Sequence, residues 1–120
     1  MAVMIPSGLS FAKAEGAGND FIILEENVLG PWFENPGARR LLCDRHFGVG
    51  ADGILVLGRP QSQDTDYHMT YYNADGHEGT FCGNGARCLA RFYFQKSGRS
   101  EASFTASDGP HRAFRDDDDR

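Results

Sequence analysis

Cysteine is scarce in this chain: Cys43, Cys82 and Cys88 are odd in number and irregular in spacing. Such a set excludes a disulfide framework and points to a reducing, cytoplasmic setting. Positive charge is in deficit too, with 12 Lys and Arg against 17 Asp and Glu and a net charge of -5. A nucleic-acid or anionic-membrane surface would need the opposite balance, and no basic patch with interleaved aromatics offsets it. No apolar run is long enough to cross a bilayer. The opening Met1-Ala2-Val3-Met4-Ile5-Pro6-Ser7-Gly8 lacks the basic start and long apolar stretch of a signal peptide. Internal repeats and low-complexity linkers are missing as well. At 120 residues, 40% hydrophobic and 24% charged, the chain is expected to be one globular domain with a real core.

What stands out against this background is Phe81-Cys82-Gly83-Asn84-Gly85-Ala86-Arg87-Cys88-Leu89-Ala90-Arg91. Before Cys82 the pattern reads as strand and turn, and after Gly85 as a helix. Its polar residues Asn84, Arg87, Arg91 and Gln95 fall at three- and four-residue steps on one stripe, so the rest of its circumference is apolar and mostly buried. Cys82 then lies at a helix N-terminus, where unpaired N–H groups and the positive dipole end favour a thiolate or a carboxylate. Gly83 and Gly85 carry no Cβ and would let a ligand approach the backbone closely. Cys82 is therefore a candidate nucleophile or proton-transfer base, the alternative being a small buried hydrophobe.

Taken in order, the chain begins with a short alternating segment at Leu9, Phe11 and Lys13 that enters a tight glycine loop over 15–20. A buried strand follows at Phe21-Ile22-Ile23-Leu24. Asn19, at the mouth of that strand, is either a ligand contact or ordinary turn chemistry. Residues 37–43 read as a short helix, and Gly48-Val49-Gly50-Ala51-Asp52-Gly53 as a second glycine loop leading into a strand. This loop lacks the lysine and the following helix of a phosphate-binding loop. His46 has no second ligand at metal spacing in its element and reads as a capped or buried structural histidine. Further strands are expected over 67–72 and 102–106, with a C-capping glycine at Gly98 and a turn at Gly109-Pro110.

Three stretches now stand together: Gly16-Ala17-Gly18-Asn19-Asp20-Phe21; Cys43-Asp44-Arg45-His46-Phe47-Gly48 with Val49-Gly50-Ala51-Asp52-Gly53; and Asn73-Ala74-Asp75-Gly76 ahead of Cys82-Gly83-Asn84-Gly85-Ala86-Arg87. In order and spacing, over about 11–114, they resemble the diaminopimelate epimerases. The resemblance implies an α/β (α+β) half of that fold, a curled mixed β-sheet wrapped around a central helix. Residues 1–114 would form its N-terminal domain, and 115–120 an acidic tail or a link to a second domain. It implies a PLP-independent isomerase of lysine biosynthesis that interconverts LL- and meso-diaminopimelate with no cofactor and no metal. Two cysteines would face each other across the substrate, Cys82 being one of them. Asn19, Asn73, Gly83 and Asn84 would contact the substrate's amino-acid end.

Two departures accompany the resemblance. His77 follows Asn73-Ala74-Asp75-Gly76 where the family usually has serine, and family members are about twice as long, the second half carrying the second cysteine. Cys88 cannot replace it, since six helical positions turn it about 120° from Cys82 and set it roughly 9 Å deeper. This chain is thus expected to supply one cysteine and to be inactive alone, and either to meet a missing C-terminal half or to self-associate, with the acidic run 116–119 outside the contact. The alternatives are a non-catalytic half-domain that binds an amino acid or a partner chain, and a related racemase or isomerase of the same fold.

Overall fold

The structure, a computed structural model, describes residues 5–115. The expected acidic tail lies, from 116 onward, outside the described residues. Six strands form one mixed sheet in chain order: β1 (Ala12–Gly16), β2 (Asn19–Glu25), β3 (Gly53–Gly58), β4 (Tyr67–Asn73), β5 (Glu101–Ala106) and β6 (Gly109–Phe114). Antiparallel pairs β1–β2, β3–β4 and β5–β6 alternate with parallel pairs β2–β3 and β4–β5. Parallel neighbours need a crossover, and each crossover carries a helix: α1 (Pro36–Cys43) joins β2 to β3, and α2 (Gly83–Ser97) joins β4 to β5.

The helices cover opposite faces of the sheet. Strand residues alternate in direction, so Ile22, Leu24, Ile54 and Val56 pack with Leu42 and Cys43 of α1. Phe21, Ile23, Leu55, Tyr67 and Met69 pack with Leu89 and Phe94 of α2. This is why Phe21-Ile22-Ile23-Leu24 is apolar at every position: both faces of β2 are covered. The mixed sheet around a helix is as expected, and the sheet is open, with β1 and β6 as its edges.

Local chemistry sets the ends of the elements. Asn35 caps α1, its Oδ1 accepting the Gly37 N–H at 2.8 Å, and Pro36 occupies the first turn, where its missing N–H costs nothing. Gly98 closes α2 in the left-handed region at φ 75°, its N–H donating to Phe94 O, as expected from sequence.

Four readings are corrected. The loop expected over 15–20 shrinks to Ala17 and Gly18, both at positive φ, with Gly16 paired directly to Asn19, so Asn19 and Asp20 already belong to β2. Helix α2 starts at Gly83 rather than after Gly85. The turn placed at Gly109-Pro110 occurs at residues 107–108, and Pro110 sits in β6, an edge strand where a missing donor is tolerated. His46 is exposed, and only its backbone N–H is capped, by Asp44 Oδ1.

Candidate active site

Cys82 is the N-cap residue of α2. Its backbone is extended (φ −118°, ψ 110°), its carbonyl accepts the Ala86 N–H, and its Sγ accepts the Gly85 N–H at 3.3 Å. The sulfur thus takes the place an Asp or Ser oxygen usually fills at a helix start. The side chain is half-buried, in contact with both core and solvent. Gly83 is exposed, and a Cβ there would meet nothing within 4 Å, so open space fronts the helix end. Gly85 has a different role from the one expected. It is buried, and a Cβ would lie 2.8 Å from Leu55 Cδ2, so close packing on β3 requires the glycine.

Asn19 and Asn84, 65 residues apart, meet at the start of β2, where Asn84 Nδ2 donates to Asn19 Oδ1 at 3.0 Å. Arg87 Nη2 donates to Asn84 Oδ1 at 2.6 Å, and Asn19 Nδ2 faces Asp52 Oδ2 at 3.4 Å. Donors and acceptors alternate along this row, which fixes which way each amide points. Behind it, the parallel register that sets Phe21 beside Gly53 also brings Asp20 beside Asp52. The two residues are cross-linked: the Asp20 N–H donates to the Asp52 side chain at Oδ2, 2.9 Å, and the Asp52 N–H to the Asp20 main-chain O at 2.9 Å. Arg45 grips Asp20 with two bonds of 2.8 and 3.0 Å and reaches Asp52 at 3.2 Å. Lys13 adds an ion pair to Asp20 at 2.9 Å and a bond to Gly50 O. Sequence reasoning passed over Asp20, Asp52, Arg45 and Lys13. Their one signal was an aspartate in each of the two glycine loops.

Arg45 and then Lys13 hold the Asp20 carboxyl far below its ordinary value of 3.8. A carboxylate whose folded-state value is depressed contributes stability that is complete above the unfolded value and is lost as pH falls below it. Asp20→Asn is therefore expected to cost about 1 kcal/mol at neutral pH, the pairs being partly open to solvent, and nothing once the medium is acid enough to protonate the wild type. Melting curves on both proteins from neutral to acid pH check this: the two should converge as pH falls, and a gap that persists would refute it.

Asn73 ends β4 opposite Gly53, at the same end of the sheet as the start of β2. Its side chain is exposed, and among the described residues no hydrogen bond joins it to Asn19, Cys82 or Asn84. Its backbone closes a turn, donating to His77 O and accepting from the Gly76 N–H, each at 2.9 Å. That turn is anchored by buried Arg39 of α1, whose Nε donates to Gly76 O at 2.7 Å and whose guanidinium lies 4.4 Å over the Tyr72 ring. His77 is exposed, its N–H bonded to Asp75 Oδ1. Tyr71 borders the site, its phenol pushed up by burial and, next, by the Cys82 sulfur.

The other two thiols lie apart from this cluster in buried positions. Cys43 is pushed up to about 11 by burial, and Cys88 faces the core beside Gly16. Among the described residues no three His, Cys, Asp or Glu side chains gather as a metal site, and no helix is long and apolar enough to cross a membrane. A groove of about 590 Å³ runs along the flank of α2 from Gly83 to Phe94, against Phe104, His111 and Phe114 of β5 and β6. It touches the site at Gly83 and extends away from Cys82.

Residues 11–113 match the family model described as diaminopimelate epimerase. The chain is 48% identical over 92 residues to the diaminopimelate epimerase of Thermosynechococcus vestitus, covering 77% of this chain and 32% of that protein. It is 42% identical over 108 residues to the enzyme of the same name from Flavobacterium psychrophilum, covering 89% and 41%. The chain thus spans about a third of the length of the curated relatives it matches. Among solved structures, a methylitaconate-delta-isomerase aligns with a TM-score of 0.68 at 14% identity, over 89% of this chain and 34% of the other. A Bacillus anthracis protein of the PhzF family aligns at 0.58 and 16%, over 87% and 33%. At those identities the likeness is one of fold.

Proposed function

This chain belongs to the diaminopimelate epimerase family, and from that premise we propose that residues 1–114 form one wall of an epimerase site in which Cys82 is one of two proton-transferring thiols. The observation that carries the proposal is Cys82 Sγ at the start of α2, accepting the Gly85 N–H, one residue from exposed Gly83 and two from the Asn84–Asn19 pair. As a thiolate, Cys82 removes the α-proton of LL-diaminopimelate. The N–H groups of the helix start, with Asn19, Asn73 and Asn84, hold the adjacent carboxylate and amine and stabilise the charge that develops as the C–H bond breaks. A second thiol on the remaining polypeptide returns a proton to the opposite face and gives the meso isomer.

Iodoacetamide labelling, resolved by mass spectrometry at graded pH, tests this reading. Cys82 is expected to react first, with Cys43 and Cys88 lagging because both are buried and burial disfavours the Cys43 thiolate. Millimolar diaminopimelate should slow labelling at Cys82 alone, since its carboxylate competes for the helix end. Preferential reaction at Cys43 or Cys88, or no protection at Cys82, counts against the assignment.

The second wall is the remainder of a longer polypeptide or, in its absence, another copy of this chain. The open flank of α2, with Phe114 66% exposed at its far end, is apolar surface of the kind that finds partners. Sedimentation over a concentration series is expected to show association, and a strictly monomeric chain would refute it.

A further inference from the structure

Phe81, the residue before Cys82, is held by its ring. It stacks on His111 of β6 with centroids 4.3 Å apart and planes 8° from parallel. His111 stacks in turn on Phe104 of β5, at 5.1 Å and 18°. A bond of 2.7 Å between His111 Nε2 and Asp108 Oδ1 spans the hairpin turn and sets the angle of the imidazole. The backbone gives this segment little support. Gly79 N–H reaches Tyr71 O on one side and Ala86 N–H reaches Cys82 O on the other, while among the described residues neither Thr80 nor Phe81 makes a backbone hydrogen bond. The column of three rings, rooted in the β5–β6 hairpin, therefore holds the approach to α2 together with the packing of Phe81 on the core.

We propose that His111 is a positioning residue for Cys82. A capping side chain reaches the third helical N–H only when its own backbone is extended, and the residue before a cap commonly sets that entry angle by packing on its surroundings. Here Phe81 packs on the core that α2 shares with the sheet, and its ring face is covered by His111. Removing the imidazole lets Phe81 swing, and Cys82 then leaves the geometry in which Sγ accepts the Gly85 N–H. The functional weight of this inference rests on Cys82 being the reacting thiol, whereas the capping geometry can be measured without that assumption.

The test compares the full 120-residue wild type with His111→Ala and His111→Phe by amide hydrogen exchange and by iodoacetamide labelling. In His111→Ala, exchange at Gly85 is expected to rise about 3- to 10-fold, the range a stacked aromatic contact supports, with Leu89 deeper in α2 unchanged. Labelling at Cys82 should slow by a similar factor, because its thiolate loses an amide donor, while Cys43 and Cys88 keep their rates. His111→Phe restores a ring face and is expected to return both readings to wild type. Unchanged exchange at Gly85 in His111→Ala, or no rescue by His111→Phe, overturns the proposal. If exchange responds while Cys43 or Cys88 labels ahead of Cys82 in the wild type, the positioning role stands and the reading of Cys82 as the reacting thiol falls. Should His111→Ala fail to fold, His111→Leu, which keeps apolar volume without a ring face, takes its place under the same criteria.

Discussion

LL-diaminopimelate incubated with this chain alone is expected to yield no meso isomer above background. Inversion at carbon requires a proton to leave from one face and another to arrive on the opposite face. Cys82, fixed at the start of α2, can reach only one of them. Cys88 is buried on the same helix, and Cys43 lies buried on α1 across the sheet, in the cluster that packs the other face. A proton removed and returned by Cys82 itself regenerates the starting isomer, so even solvent deuterium at the α-carbon should appear slowly. Supplying in trans the part of a relative that this chain does not span, about two-thirds of its length, should restore conversion if the two pieces associate. In that reconstituted mixture Cys82→Ala should lower the rate at least about 10³-fold, within the span that one positioned acid or base contributes. Conversion by the chain alone, free of contaminating enzyme, would refute the requirement for two thiols, and full activity in the Cys82→Ala mixture would refute the role of Cys82.

How much of this was legible beforehand depended on whether the deciding interactions were local. The place of Cys82 at the N-terminal end of a helix, the C-cap at Gly98 and the buried strand 21–24 follow from patterns within a few residues, and the structure has all three, with the helix beginning earlier than the pattern suggested. The row that orients Asn19 was not legible in the same way. Asp20 and Asp52 are 32 residues apart, and only the parallel register of β2 on β3 brings them together. Arg39 was hidden for a similar reason: on α1 it looks like one of two ordinary arginines, yet the crossover buries it under the Asn73 turn. Gly85 was misread because a glycine required for packing and a glycine required for ligand approach look identical in sequence, and the Leu55 side chain decides between them. Pro110 was misread because a Gly-Pro pair signals a turn unless an edge strand is there to accept it.

A large loss of stability is expected from Gly76→Ala. Gly76 is buried at φ 92°, in the region that side chains rarely adopt, and a Cβ there would fall 2.1 Å from Pro36 O and 3.0 Å from Pro36 C. Those atoms belong to the start of α1, whose Asn35 cap and packing on the sheet leave no room to retreat. Gly98→Ala supplies the contrast: φ is 75°, yet a Cβ would meet nothing within 4 Å, so only backbone strain remains, about 1 kcal/mol. Adding steric overlap to similar strain, Gly76→Ala should cost at least about 3 kcal/mol and lower the melting midpoint by roughly 10–20 °C. The damage should also reach the candidate site. Gly76 O accepts from Arg39 and Gly76 N–H donates to Asn73 O, so a displaced turn carries Asn73 away from the end of the sheet where β2 starts. Thermal melts of the two alanine variants beside wild type decide the matter. Equal losses would show that backbone conformation alone constrains Gly76 and that α1 gives way, whereas a loss several-fold larger at Gly76 locates the constraint in the contact between the Asn73 turn and the first turn of α1.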